Sequence, residues 1–171
     1  GRVRRWSRHG GQLGRTMQHG AAVYCRAMRN ERIVSGGRKS RAKVWHAASG
    51  ECLVERLFAD LVWAVAPIDD KVVSSGYFCN KAEVWPVVGG DTIHTLTHPD
   101  SVKKIAAESD LIGTACRDGK VRTWSLISGA LTRTLTHGAA ALPRICLLGT
   151  LAVSGSVDGS IKVWSLDGDG E

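Results

Sequence analysis

The sequence predicts an all-β chain built from one repeated antiparallel unit, and two observations carry this prediction. The first is a period: five of the six tryptophans lie 39 or 40 positions apart, at residues 6, 45, 85, 124 and 164. A period near 40 residues is typical of solenoid and propeller arrays. The second is that the residues between these tryptophans read as short strands bounded by turn residues, with no helical period.

Each period contains four strand signals in a fixed order. The first is a short apolar stretch: AVYCRAM, LVWAVAP, SVKKIAA or LPRICLL. The second ends in Ser, Thr or Gly: ERIVSG, DKVVSSG, DLIGTA or TLAVSGS. A tight polar turn leads to the third, of which IKVW is the best example, and a fourth follows, as in ALTRTLTH, DTIHTLTH and ECLVERLF. Four short strands per period predict one antiparallel sheet per repeat.

The segment that ends at each tryptophan carries a recurring motif. The copies are SGGRKSRAKVW (35–45), SGYFCNKAEVW (75–85), TACRDGKVRTW (114–124) and SGSVDGSIKVW (154–164), with GRVRRW (1–6) as a part-copy. Counted back from Trp, a Ser or Thr lies at ten, an Asp at six and a His at 26 or 27. In two copies Lys39 and Cys79 replace the Asp, and Ala59 replaces one His.

A Ser, His and Asp set raises the alternative of a catalytic triad. Three observations argue against it: the set recurs once per period, no GxSxG elbow accompanies it, and two copies are broken. The sequence therefore predicts no catalytic residue, and the enzyme hypothesis has no support in it. We interpret the set as a hydrogen-bond network in which hydroxyl, imidazole and indole groups satisfy one another.

The pattern H…[ST]…D…W at this period resembles the WD-repeat (beta-transducin) family of β-propellers, and the resemblance covers essentially residues 1–171. The Trp-Asp dipeptide is absent, since Ser, His or Pro follows each motif tryptophan. The resemblance implies one propeller segment of about four repeats, with three complete blades and two partial ones. The family typically has seven blades, so we expect the chain to be part of a seven-bladed ring.

The resemblance also implies a structural role for the motif residues, which would join the turn before the first strand to the second and third strands. The residues assigned to this network are His19, Ser35, Trp45, Ser75, Trp85, His98, Thr114, Asp118, Trp124, His137, Ser154, Asp158 and Trp164.

Charge and cysteine content narrow the functional classes. Residues 1–45 hold twelve Lys and Arg against one Glu, whereas residues 46–171 hold eleven against fifteen Asp and Glu, so +11 and −4 give the net +7. Such asymmetry marks either a surface for phosphate, nucleic acid or acidic peptides, or a solvated face. Five cysteines without metal-type spacing predict reduced thiols in a cytoplasmic or nuclear protein. We expect no cofactor, no metal site and no membrane span.

In WD-repeat proteins two positions per blade tend to face partners on one rim. Here the first set is Tyr24, Trp63, Lys103 and Pro143, and the second is Arg38, Phe78, Arg117 and Val157. Trp63 lies outside the tryptophan register, so the repeat core does not explain it. With Lys39, the candidate partner-binding residues are Tyr24, Arg38, Lys39, Trp63, Phe78, Lys103 and Arg117.

These repeats look most like those of the F-box/WD-repeat substrate adaptors of ubiquitin ligases, whose rim arginines hold phosphorylated peptides. Two arginines and a lysine match that pattern, whereas the aromatic rim residues, Pro143 and Val157 do not, and no F-box is visible. The first hypothesis is a non-catalytic protein-interaction scaffold for acidic or phosphorylated peptides. The alternative is a nucleic-acid or RNP-associated propeller that contacts phosphates through basic residues 1–45, including Arg8.

Overall fold

The computed structural model describes residues 1–6 and 13–167, and in this part of the chain all regular structure is β-strand. Seventeen strands form five antiparallel sheets, which we number as blades 1 to 5. Blade 1 holds β1 (Arg2–Trp6) and β2 (Leu13–Gln18). Blade 2 holds β3 (Val23–Arg29), β4 (Arg32–Gly37), β5 (Arg41–His46) and β6 (Cys52–Leu57).

The remaining blades repeat the same order of strands. Blade 3 holds β7 (Val62–Ile68), β8 (Lys71–Gly76), β9 (Lys81–Pro86) and β10 (His94–Thr97). Blade 4 holds β11 (Val102–Glu108), β12 (Leu111–Cys116), β13 (Lys120–Ser125) and β14 (Leu131–Thr136). Blade 5 holds β15 (Arg144–Leu148), β16 (Leu151–Gly155) and β17 (Ile161–Ser165). The predicted all-β architecture of three complete and two partial blades is confirmed; the seven-bladed ring stays a prediction.

The hydrophobic core lies between the blades. Ile33 and Val34 are neighbours in β4, so their side chains point to opposite faces of the sheet. Ile33 packs in a cluster with Val3 and Met17 of blade 1. Val34 packs in another cluster with Val62 of blade 3. Both faces of an inner strand are covered, which explains why the second strand of each repeat reads as a continuous apolar run.

The first strands of blades 2 to 5 face one another around a central hollow of about 570 Å³. Its walls include Ala27 of β3, Val65 of β7, Ile105 of β11 and Cys146 of β15. The Arg29 guanidinium crosses from blade 2 to blade 4 and donates to the carbonyl of Ala107 at 3.3 Å. The hollow therefore corresponds to the channel of a propeller, and the loops at the ends of the strands form its two rims.

No helix in residues 1–6 and 13–167 is long and apolar enough to cross a membrane.

Two glycines with positive φ differ in the space around them, so substituting them distinguishes the cost of backbone conformation from the cost of a steric collision. Gly119 and Gly149 both have positive φ, at 76° and 54°. A Cβ at Gly149 would meet open space, whereas one at Gly119 would collide with the carbonyl oxygen of Gly138. We expect Gly149→Ala to cost about 1 kcal/mol of unfolding free energy and Gly119→Ala to cost at least about 3 kcal/mol.

Urea unfolding of the two variants checks this. Equal losses would show that the approach of residues 119 and 138 is not tight in solution.

Candidate functional site

In three blades the motif tryptophan donates its indole N–H to a buried hydroxyl ten residues upstream, at 2.8–3.0 Å. The pairs are Trp45–Ser35, Trp124–Thr114 and Trp164–Ser154. Each hydroxyl also contacts a buried imidazole, at 2.6–2.9 Å. These imidazoles belong to His19, His98 and His137. We call this set of ring, hydroxyl and indole the blade fastening.

The two aspartates take different places in the fastening. Asp158 accepts the hydroxyl of Ser160 at 2.6 Å, and that hydroxyl lies 2.8 Å from Nε2 of His137. Asp158 thus reaches the imidazole through Ser160. Asp118 instead pairs with the Arg122 guanidinium at 2.6 Å.

His98 therefore has other partners than Asp118. Its Nδ1 donates to the carbonyl of Leu96 at 3.0 Å, and its Nε2 contacts Thr114. The prediction that Asp118 completes the network around His98 is wrong, because both ring nitrogens have other partners and the carboxylate pairs with Arg122.

Blade 3 corrects a second prediction. Trp85 donates to Oγ of Ser74 at 3.0 Å and not to Ser75. Ser75 is also buried, but its hydroxyl lies 3.5 Å from the carbonyl of Val102. The cause is the turn after β8, which spans residues 77–80, whereas the turn after β4 spans 38–40. Because of the extra residue, the hydroxyl that binds Trp85 lies eleven positions before the tryptophan and not ten.

The imidazole position of blade 3 is filled by Phe58 and not by Ala59. The Phe58 N–H donates to the carbonyl just before β5 at 2.8 Å, as the His98 N–H does to the carbonyl just before β9. Phe58 also lies 16 residues before Ser74, the same separation as His98 from Thr114. Its ring centroid is 6.1 Å from that of Trp85. A count of 16 residues back from Ser74 gives Phe58, whereas a count of 26 residues back from Trp85 gives Ala59.

Burial keeps two of these imidazoles neutral. Burial lowers the pKa of His98 to about 4, and the carbonyl of Leu96 opposes this only in part. Burial also lowers the pKa of His19, with a further contribution from the positive charge of Lys43. A neutral ring has one donor and one acceptor nitrogen, which the fastening requires.

The first set of predicted rim residues occupies β-bulges. Tyr24, Trp63 and Lys103 are each the unpaired residue at the start of a first strand, where the register slips by one. A bulge turns a side chain away from the regular alternation of the sheet. Pro143 has no such position, since it precedes β15. The bulges explain why large side chains one residue into three first strands lie on the rim instead of in the core.

Four aromatic rings form a continuous ridge on this rim. The ring centroids of Tyr24 and Trp63 are 5.7 Å apart, those of Trp63 and Tyr77 are 4.6 Å apart, and those of Tyr77 and Phe78 are 4.5 Å apart. The Lys103 ammonium lies 4.5 Å from the Tyr77 ring centroid and donates to the Tyr77 carbonyl at 3.3 Å. We call these four aromatic residues the aromatic ridge.

Tyr77 was absent from the sequence-based candidates. It follows the second strand of blade 3 directly, and the longer turn hid its equivalence to Arg38 and Arg117.

A cleft of about 370 Å³ lies at one end of the aromatic ridge, between blades 3 and 4. Its lining residues are Tyr77, Phe78, Asp100, Ser101, Lys103, Arg117 and Ala141. Phe78 is 79% exposed, and Arg117 is exposed without an ion-pair partner in residues 1–6 and 13–167. The structure thus brings Tyr24, Trp63, Phe78, Lys103 and Arg117 onto one surface. Arg38 and Lys39 lie in the exposed turn of blade 2, and Val157 in that of blade 5.

Comparison with known proteins agrees with this architecture. Residues 131–165, from β14 to β17, match the model of the WD40 family, described as WD domain, G-beta repeat. No curated protein matches the sequence. WD40 repeats generally mediate protein–protein interactions and are typically non-catalytic.

Three solved structures are similar to the chain. The crystal structure of the computationally designed Ika4 protein has a TM-score of 0.78 at 25% identity, over 86% of this chain and 93% of that one. The computationally designed Ika8 protein has a TM-score of 0.81 at 24% sequence identity, over 94% of this chain and 51% of that one. The structure of U3-55K has a TM-score of 0.86 at 25% sequence identity, over 98% of this chain and 55% of that one. The chain therefore spans about half the length of Ika8 and of U3-55K.

Two adjacent serines test the corrected register of blade 3. We expect Ser74→Ala to lower the unfolding free energy by roughly 2 kcal/mol, because it leaves the buried indole N–H of Trp85 without an acceptor. Ser75→Ala is the matched control, since Ser75 is equally buried but makes only the long contact to Val102. Chemical unfolding of both variants checks this, and a larger loss from Ser75→Ala would restore the original assignment.

The lowered pKa of His98 predicts a loss of stability on acidification. In the unfolded chain His98 takes up a proton near pH 6.5, while the folded state resists until about pH 4. Between these values the unfolded state binds more protons, so His98 contributes a loss of at most about 1.4 kcal/mol per pH unit as the pH falls. His98→Phe, which copies the ring of blade 3, should flatten this dependence. Unfolding curves measured from pH 7 to pH 4 would refute it if variant and wild type had equal slopes.

Proposed function

We propose that this protein is a non-catalytic interaction scaffold whose rim recognises acidic or phosphorylated peptides. The observation that carries the proposal is the aromatic ridge, which ends in a cleft beside the guanidinium of Arg117, an exposed cation with no ion pair among the described residues. Exposed, mutually packed aromatic rings with an adjacent arginine are typical of binding hot spots. A guanidinium fork pairs well with carboxylate and phosphate groups.

Rigidity of the rim supports this proposal. The Trp63 and Tyr77 rings pack edge to face, and the Lys103 ammonium lies over Tyr77. The carboxylate of Asp60 accepts the backbone N–H of Phe78 at 2.7 Å, which fixes the turn below the exposed ring. A surface that is already ordered loses little conformational entropy when it binds.

The resemblance to F-box/WD-repeat proteins extends the proposal to a substrate adaptor in a larger complex, with Arg38 and Arg117 as the anion-binding rim arginines. On this proposal the protein works in the cytoplasm or the nucleus, where its five thiols stay reduced.

The nucleic-acid alternative has weaker support. At least six of the basic side chains in residues 1–45 already bind carbonyls or carboxylates of the chain. These are Arg5, Arg15, Arg29, Arg32, Arg41 and Lys43. Fewer cations therefore remain for a phosphate backbone than the charge of this segment suggests. Arg8 lies outside the described residues.

Peptide binding tests the proposal. Acidic and phosphorylated peptides should bind the wild-type chain, and neutral Asn/Gln versions should not. Phe78→Ala and Arg117→Ala should each weaken binding about tenfold, since hot-spot residues contribute more than about 1 kcal/mol. Lys71→Ala is the matched control, because it removes one positive charge next to Asp70 in the turn between β7 and β8.

Unchanged binding in Phe78→Ala and Arg117→Ala would contradict the proposed rim site. Binding of single-stranded nucleic acid with a steep salt dependence, together with indifference to the peptides, would favour the nucleic-acid alternative.

A further inference from the structure

We propose that the turn of blade 2, residues 38–40, receives an Asp or Glu carboxylate of a bound partner, in the place that an aspartate of the chain itself fills in blades 4 and 5. This inference rests on the proposed function, because it assigns a second contact to the same acidic partner. It differs from the cleft beside Arg117 in location and in the groups that hold the anion.

Blades 4 and 5 show what this position of the turn binds. Asp118 accepts the backbone N–H of Lys120 at 3.1 Å. Asp158 accepts the backbone N–H of Ser160 at 2.8 Å and its hydroxyl at 2.6 Å. In blade 5 the carboxylate joins the blade fastening through Ser160, whereas in blade 4 it also pairs with Arg122. At the same distance from the tryptophan, blade 2 has Lys39 instead.

The replacement of the aspartate by Lys39 affects His19, the buried imidazole of blade 2, which is 1% exposed. Its Nδ1 lies 2.9 Å from the Ser35 hydroxyl, which itself accepts the indole N–H of Trp45. We take the Ser35 hydroxyl as the donor to Nδ1, which places the imidazole proton on Nε2. Nε2 has no hydrogen-bond partner in the described part of the chain. A buried donor without an acceptor is costly and rare.

The orientation of His137 shows where this nitrogen points. His137 also contacts its serine through Nδ1, and its Nε2 lies 2.8 Å from the Ser160 hydroxyl that Asp158 accepts. Ser160 corresponds to Arg41, and Asp158 to Lys39, when both are counted from the tryptophan. By this correspondence Nε2 of His19 faces the end of the blade 2 turn at Arg41, next to the place where blade 5 has its carboxylate.

The charges around this point favour an anion. Positive charge from Lys43 and from Arg41 acts on His19. Arg41 and Lys43 both pair with Glu55. Arg38 and Lys39 are exposed and have no ion pair in the described residues. A carboxylate entering here meets two available cations and one buried N–H donor.

The backbone of the turn is also unusual. Lys39 and Ser40 both adopt positive φ, at 69° and 56°. The position of Ser40 is Gly119 in blade 4 and Gly159 in blade 5, where positive φ carries no Cβ penalty. Two successive non-glycine residues in this region store strain, which proteins keep mainly at functional sites.

Histidine side-chain NMR tests the inference on the whole chain. Two probes are used: acetate alone, and a peptide of Asp and Glu with its Asn/Gln counterpart as control. We expect the acidic peptide and acetate to shift the Nε2–H resonance of His19 saturably and to slow its exchange with water, and the neutral peptide to do neither.

A double variant supplies the matched control. Lys39→Asp combined with Ser40→Gly installs the Asp-Gly pair of blades 4 and 5. It should show a protected His19 N–H without any ligand, and it should bind the acidic peptide five- to tenfold more weakly than wild type. Lys39→Gln, which removes the charge without adding a carboxylate, should leave His19 unprotected.

Each contrary outcome has a distinct meaning. A His19 N–H that is already protected in the free wild type, or that ignores both acetate and peptide, overturns the inference. If the peptide still binds in that case and binding still depends on Arg117, the proposed function survives alone. If the peptide fails to bind but acetate protects His19, the proposed function fails and the carboxylate site stands. A stronger response to a phosphoserine peptide than to the acidic one would overturn the assignment to carboxylate.

Discussion

The hydrogen bond from a tryptophan indole to a buried hydroxyl is the interaction on which the rest of the structure depends. It occurs in four blades at 2.8–3.0 Å and joins the third strand to the second. In three of them the hydroxyl also holds an imidazole on the segment that leads into the first strand. Since the accepting hydroxyl is buried in all four, water cannot easily replace the bond. The fastening therefore sets where each first strand begins, and the rim bulges lie at those beginnings.

Most of the fold could be predicted from the sequence because the period is carried by residues that the core requires. The tryptophans and the apolar second strands keep their spacing, since a change there would open a cavity between blades. The errors have one physical source in blade 3, whose turn at 77–80 has an extra residue. A count from Trp85 crosses this turn and names Ser75 and Ala59, whereas the chain uses Ser74 and Phe58. Exposed turns tolerate insertions that strands do not.

The site was harder to predict because it depends on contacts between repeats. The sequence placed Trp63 and Phe78 on the rim but could not show that Tyr77 connects them into one ridge. It also could not show that Arg122 takes the Asp118 carboxylate. The variable turns thus differ in chemistry from blade to blade: the turn is aromatic in blade 3, has an arginine beside a cleft in blade 4, and has two exposed cations in blade 2.

Hydrogen exchange of the tryptophan indole N–H groups, resolved by NMR, tests the central claim most directly. The account predicts slow exchange for Trp45, Trp85 and Trp124, whose N–H groups donate to buried hydroxyls, and intermediate exchange for the half-buried Trp164. Trp63, on the rim, should exchange faster than these four tryptophans. If Trp85 exchanged as rapidly as Trp63, the fastening of blade 3 by Ser74 would be wrong, and the order of the rim would need another cause.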